Sequence, residues 1–288
     1  MPGHKVTAGW VQIAGTLQPL NYNSTTDPGE ETPTEAPYDV IVGLIQSNMR
    51  GAATDYDVTA DQYTGPVDMW RWSSNQIVSA TEPLSTRDSA TGMGAMNTFV
   101  KDYQSQVLAN GRRILIINTA RGGTGFTTPS TNPAGNAFTW NRLGAIDANN
   151  LALTTRDALV SILAELPAGS RIVAFLANHG STDGTNNTSK DAFKSYLEDW
   201  IQWIRTETNT LTVPYIMMQM RPSLLIETRH LNIDTAQQEV AAAGAEAYIG
   251  FSLSPNGTQY NKADSVHFNA EGVREIGHRL FTTYQSLI

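Results

Sequence analysis

The stretch 38–51, YDVIVGLIQSNMRG, begins as an almost unbroken apolar run and ends on a Gln-Ser-Asn-Met-Arg-Gly turn. Such a run suits a strand buried on both faces, where neither side of the pleat meets water. Outward from it the same pattern returns in RILIINTA (113–120), RIVAFLAN (171–178), VPYIMMQM (213–220) and AYIGFSL (247–253). Between these runs the apolar residues take helical spacing. NTFVKDYQSQVLANG (97–111) stops at Gly111, and LTTRDALVSILAEL (153–166) ends before Pro167. SKDAFKSYLEDWIQWIRTE (189–207) has Ser189 as its N-cap, and TAQQEVAAAGA (235–245) and NAEGVREIGHRLFTTYQSLI (269–288) complete the series. Alternating strands and helices predict a three-layer α/β/α sandwich around a central, mostly parallel five-stranded sheet.

Ahead of this region, residues 6–17 (VTAGWVQIAGTL) read as a short strand or hairpin, and 21–37 (NYNSTTDPGEETPTEAP) as a loop. The expected organisation is an N-terminal arm over 1–37 and a main domain over 38–288. The chain has 288 residues, 40% hydrophobic and 16% charged, with a net charge of −8. With no basic run, nucleic acid and anionic membranes are excluded as expected partners, since both need clustered Lys and Arg. The absence of cysteine excludes disulfides, thiolate metal sites and a cysteine nucleophile. No apolar h-region follows a basic n-region at the start, and no apolar stretch approaches the ~20 residues of a membrane helix. The expectation is a soluble protein, cytoplasmic or, if of phage origin, virion-associated. The oligomeric state has no signature.

In open parallel sheets ligands bind beyond the carboxyl ends of the strands. The first run leads to Ser47, whose hydroxyl and backbone N–H at a strand-to-helix junction suit a nucleophile and an oxyanion donor. Ser47-Asn48 is also an ordinary helix-capping pair. The second leads to Arg121-Gly122-Gly123-Thr124-Gly125, a backbone that can approach a ligand or simply turn tightly. The third leads to Asn178-His179-Gly180-Ser181-Thr182-Asp183. There Asn178 or His179 can donate to an oxyanion, and His179 with Asp183 is a rival base, or the segment is a plain Asx turn. Asp264-Ser265-Val266-His267 precedes the last helix, and its spacing lets the carboxylate reach one imidazole nitrogen while the other faces a serine. Together these residues make a complete set for acyl transfer.

At this point the chain resembles the SGNH (GDSL-type) hydrolase superfamily, in the branch of sialate O-acetylesterases and acetylxylan-esterase-like carbohydrate esterases. The resemblance rests on Gln46-Ser47-Asn48-Met49-Arg50-Gly51, on Gly122-Gly123-Thr124, and on Asp264 and His267 followed by Phe268 and Asn-Ala-Glu-Gly. Glu82-Pro83-Leu84 leading to Gly92-Met93-Gly94 adds to it. Two departures stand out. Ile45 replaces the branch's first glycine, and His179-Gly180-Ser181-Thr182-Asp183 replaces its Gln-Gly-Glu-x-Asp. The resemblance implies a flavodoxin-like SGNH fold and a serine esterase that removes O-acetyl groups from carbohydrate.

On that reading Ser47 is the nucleophile, His267 the base and Asp264 its orienting acid. The oxyanion falls to the N–H of Ser47, to Gly122 or Gly123, and to Asn178, with His179 as the alternative. Gln46 and Arg121 are expected to contact substrate. No cofactor and no metal are expected. His4, His230 and His278 read as surface or structural. Trp70, Trp72, Trp140, Trp200 and Trp203 supply sugar-stacking candidates, although the helical spacing of Trp200 and Trp203 favours core packing. The rivals are a lipase, thioesterase or arylesterase of the same superfamily, and a non-catalytic carbohydrate-binding or virion structural module.

Overall fold

The chain divides into two units, Met1–Glu35 and Ala36–Ile288, in a computed structural model that describes Trp10–Ile13, Thr16–Pro19 and residues 35–127, 138–144, 146–244, 247–264 and 266–288. The first unit contains β1 (Trp10–Ile13) paired antiparallel with β2 (Thr16–Pro19). The loop expected over 21–37 lies outside the described residues as far as 34.

The second unit runs β3 (Tyr38–Ile45), α1 (Ser47–Arg50), β4 (Val67–Arg71), β5 (Gln76–Ser79), α2 (Met96–Gln106), β6 (Arg113–Asn118) and α3 (Leu151–Glu165). It continues with β7 (Arg171–Asn178), α4 (Ser181–Thr185), α5 (Lys190–Glu207), β8 (Tyr215–Met218), α6 (Thr228–Ala243), β9 (Ile249–Ser252) and α7 (Ala270–Leu287). Ser189 caps α5 and Asn269 caps α7, each accepting from an N–H of the first turn.

Among the described residues the sheet has seven strands in the order β5-β4-β6-β3-β7-β8-β9, all parallel except β5 against β4. This corrects the expected count of five. β4 and β5 extend the β6 edge, and their sequences hide them. In β4 (VDMWR) the buried Asp68 interrupts the apolar pattern and is matched by Arg113 at 2.6 Å and by the Tyr38 hydroxyl at 3.1 Å. β5 is four residues long and only partly covered. α6 also starts seven residues ahead of the expected 235, because its first half turns His230 and Asp234 inward where apolar residues would be looked for.

Side chains alternate across the sheet and build two cores. Val40, Val42 and Leu44 of β3 join α3, α5 and α6 on one face, while Ile41 joins α2 and α7 on the other. From β3 the chain first fills one side of the sheet with β4, β5 and β6, then crosses to build β7, β8 and β9. The switch therefore falls at the carboxyl end of β3, between β6 and β7, where open α/β sheets hold their ligands.

At that end Ile45 takes φ +80°. A β-branched side chain rarely adopts this left-handed region, and the residue is fully buried. Ile45→Gly is expected to lose about 1–3 kcal/mol less stability than Ile41→Gly, the amount by which such a conformation is strained. Urea denaturation of both variants measures this, and equal losses would mean that Ile45 carries no strain.

Glu82 lies buried between β5 and α2 with one carboxylate oxygen on Tyr63 and Asn97, at 2.8 and 3.0 Å. Burial pushes its pKa up to about 7, against those hydrogen bonds. The native state then holds its proton more tightly than the unfolded chain, so this group's contribution falls as pH rises between about 4.5 and 7. Glu82→Gln should exceed the wild type by roughly 3 kcal/mol near pH 8 and show no gain near pH 4. Thermal midpoints at the two pH values test this, and a gain independent of pH would contradict it.

Candidate active site

Three strand ends and one loop meet at the switch point. Ser47 follows β3 after the single residue Gln46 and opens the single turn α1, which Gly51 closes. Its Oγ lies 2.8 Å from Nε2 of His267, and Nδ1 of that ring lies 3.0 Å from Oδ2 of Asp264. The other Asp264 oxygen accepts the backbone N–H of Val266 and of His267, at 3.0 and 2.7 Å. One carboxylate thus shapes the turn and orients the ring. With Nδ1–H directed at the carboxylate, Nε2 is left as an acceptor for the Ser47 hydroxyl.

Partial burial pushes the Asp264 carboxyl up, but the N–H groups and ring that it binds outweigh this and hold it down at about 2. It is therefore a carboxylate throughout the neutral range. The pair stands open to solvent, with the Asp264 side chain 42% and that of His267 23% exposed.

Asn48, beside Ser47, grips the same loop. Its Nδ2 donates to the Val266 carbonyl at 3.3 Å and its Oδ1 accepts the Phe268 N–H at 3.2 Å. The loop after β6 is tied down as firmly. Arg121 donates its backbone N–H to the Ile45 carbonyl at 2.7 Å, and Thr124 closes the turn on the Arg121 carbonyl at 2.8 Å. Gly123 takes φ +67°, and a side chain at Gly125 would stand 2.5 Å from the buried Asp183 carboxylate.

Gly122 donates its N–H to Asp88 at 3.2 Å, and Asp88 also pairs with Arg50 at 3.2 Å. The N–H groups of Ser47 and Gly123 meet no acceptor among the described residues. The amide of Gln46 is fully engaged within the fold. It donates to the Thr124 carbonyl and accepts from the Ser181 hydroxyl, both at 2.5 Å. Arg121 lies over the Phe138 ring at 3.6 Å and has no acidic partner among the described residues.

Asn178 and His179 part ways. Asn178 shares its parity with Ala174 and Leu176, on the face covered by α2 and α7. His179 is turned into the opposite core, 2.7 Å from the Tyr215 hydroxyl and stacked on Phe126. Burial holds its pKa down at about 3, so the ring is neutral. These contacts leave the His179 ring outside the Ser47–His267–Asp264 hydrogen-bond chain. Asp183 is not its partner either, since Asp183 accepts from the N–H and hydroxyl of Thr127 at 2.9 and 3.0 Å.

His230 is buried against the Ser181 carbonyl, His278 pairs with Asp102 at the surface, and His4 lies outside the described residues. Trp140 and Trp200 are core residues, and Trp70 is largely covered. Trp72 stands at the sheet's carboxyl edge beneath Arg87, and Trp203 lies beneath Arg142 and Arg156. Among the described residues no three His, Cys, Asp or Glu side chains gather as a metal ion would require, and no helix is long and apolar enough to cross a membrane.

The contacts of Asn48 and Asp88 escaped the sequence reading. Asn48 was visible as half of a capping pair and within the Gln46–Gly51 motif, but not as a clamp on the His267 loop. Asp88 reaches its partner Gly122 across 34 residues, which leaves no local pattern.

A family model described as "Carbohydrate esterase, sialic acid-specific acetylesterase" matches residues 37–286. No curated protein sequence matches the chain. Among solved structures, a protein from Arabidopsis thaliana superposes with a TM-score of 0.68 at 15% identity, covering 87% of this chain and 98% of that one. NanS gives 0.64 at 14%, covering 88% and 98%. A carbohydrate acetylesterase from Xanthomonas citri gives 0.53 at 15%, covering 87% and 56%. At such identities these likenesses establish the fold. The chain belongs to the carbohydrate esterase, sialic acid-specific acetylesterase family, and is a carboxylic ester hydrolase.

Proposed function

We propose that the protein removes O-acetyl groups from carbohydrate through a covalent acetyl-enzyme on Ser47. The observation that carries this reading is the unbroken hydrogen-bond chain Ser47–His267–Asp264 at the sheet's switch point. His267 takes the hydroxyl proton as Ser47 Oγ attacks the ester carbonyl, and Asp264 stabilises the imidazolium that forms. His267 returns that proton to the departing sugar oxygen. Water, deprotonated by the same nitrogen, then releases acetate and restores the serine.

The developing oxyanion is received by the N–H of Ser47, by the glycine pair and by the Asn178 amide. Within the pair Gly123 is the better donor, because Asp88 already holds the Gly122 N–H. Gln46 acts by joining the loops after β3, β6 and β7 rather than by touching substrate. Arg121, stacked and without an acidic partner among the described residues, takes polar groups of the sugar. The openness of the dyad suits a small acyl group on a bulky alcohol. Residues 38–288 form the esterase domain, with 1–37 as an appended arm.

Hydrolysis of p-nitrophenyl acetate, and acetate release from O-acetylated sugars, test the proposal. Ser47→Ala and His267→Ala are expected to lower kcat by about 10⁴-fold or more. Asp264→Asn should lower it by about 10³–10⁴-fold through the wrong tautomer. Acetyl esters should be preferred to hexanoyl and longer ones. Full activity in Ser47→Ala overturns the mechanism, and a preference for long acyl chains overturns the acetylesterase reading.

A further inference from the structure

Arg221 lies just beyond β8 and reaches the loop that carries Asp264 and His267. Its Nη1 donates to the carbonyl oxygens of Lys262 and His267, each at 3.3 Å, and to that of Asp264. Three carbonyls converging on one point repel one another unless a cation stands between them. A guanidinium fills that place without a metal, being always charged and rich in donors. The sequence partners are 41 to 46 residues away, so no local motif betrays the contact.

Elsewhere the loop is held by Lys262, whose Nζ donates to the Ala52 carbonyl at 2.7 Å and whose N–H donates to the His267 carbonyl at 3.1 Å. Between α7 and the preceding 3-10 turn its only ladder contact among the described residues is the isolated bridge Asn261–Phe268. Asn48 clamps it from the side of α1, at Val266 and Phe268. Asn48 and Lys262 tie the loop to the α1 side of the sheet, at α1 and at Ala52 just beyond it. Arg221 approaches from beyond β8, and it alone of the three donates to the backbone carbonyls of both Asp264 and His267.

On the reading that His267 activates Ser47, we infer that Arg221 is a positioning residue that sets the 2.8 Å approach of His267 Nε2 to Ser47 Oγ by gathering the carbonyls of the Asp264–His267 loop. Arg221 touches neither reacting atom. Its effect falls on the rate of the chemical step and not on substrate binding.

The test compares wild type, Arg221→Lys, Arg221→Met and Ser47→Ala on p-nitrophenyl acetate and on an O-acetylated sugar, with the thermal midpoint of each. Misplacement of about 1 Å lowers rates by about 10²-fold, so Arg221→Met should lower kcat by about that factor on both esters, with KM changed less than about threefold. Arg221→Lys, which keeps the charge and three donors but not the planar fork, should recover about tenfold of the loss. If Arg221→Met fails to fold, Arg221→Lys still reads the effect as a kcat loss of about tenfold at unchanged KM. A rise in KM confined to the sugar ester would make Arg221 a substrate-binding residue and overturn the inference. So would wild-type kcat in both variants, or a kcat loss that vanishes at temperatures where the variant is fully folded. Activity in Ser47→Ala would instead overturn the underlying mechanism, which separates the two failures.

Discussion

Ile45 carries the constraint on which the rest of the site depends. Its φ of +80° ends the central strand abruptly, turns the chain into α1, and leaves its carbonyl to accept the Arg121 N–H at 2.7 Å. Its register partner in β7 is Asn178. One strained residue thereby joins the ends of three adjacent strands, after which Ser47, the Gly122–Gly123 pair and Asn178 come together. A glycine would adopt the turn without strain. The isoleucine adopts it because its side chain is buried completely in the core beneath α3, α5 and α6. Core packing holds the bent backbone, and the bent backbone presents Ser47.

Charge is distributed to match. Asp264 is partly exposed yet firmly ionised, since two N–H groups and the imidazole face it. His179, one residue past β7, is uncharged because burial among Phe126, Phe193 and Tyr215 strips its ring of solvent. Two histidines near one sheet edge thus have opposite surroundings, and only His267 retains both a carboxylate and a route to the serine hydroxyl. Around them Gln46, Asn48 and Asp88 are committed to neighbouring loops, and the Asp88 carboxylate is paired with Arg50.

Five strands and the residues that gather at their ends were legible from the chain, because buried parallel strands are apolar throughout and motifs at their ends are contiguous. β4 and β5 were not, since Asp68 is compensated by an arginine 45 residues away and β5 is too short to show a period. The choice between Asn178 and His179 was open in sequence, where they are adjacent. Strand parity separates them in the structure, sending neighbouring side chains to opposite faces, and His179 goes into the core with Tyr215 and Phe126. Arg221 had no signature at all, as its partners are backbone carbonyls and any residue type offers one. The hydrogen bonds of the Gln46 amide were not legible either, because they reach Thr124 and Ser181, 78 and 135 residues away.

The central claim is that Ser47 is the group that becomes acylated. A fluorophosphonate, which reacts with a serine activated by a neighbouring base, followed by peptide mass spectrometry of the inactivated protein, tests it most directly. The account predicts a single adduct on Ser47 that forms in step with loss of activity and does not form in His267→Ala. Inactivation with the adduct on another residue such as Ser181, or with Ser47 unmodified, would contradict it.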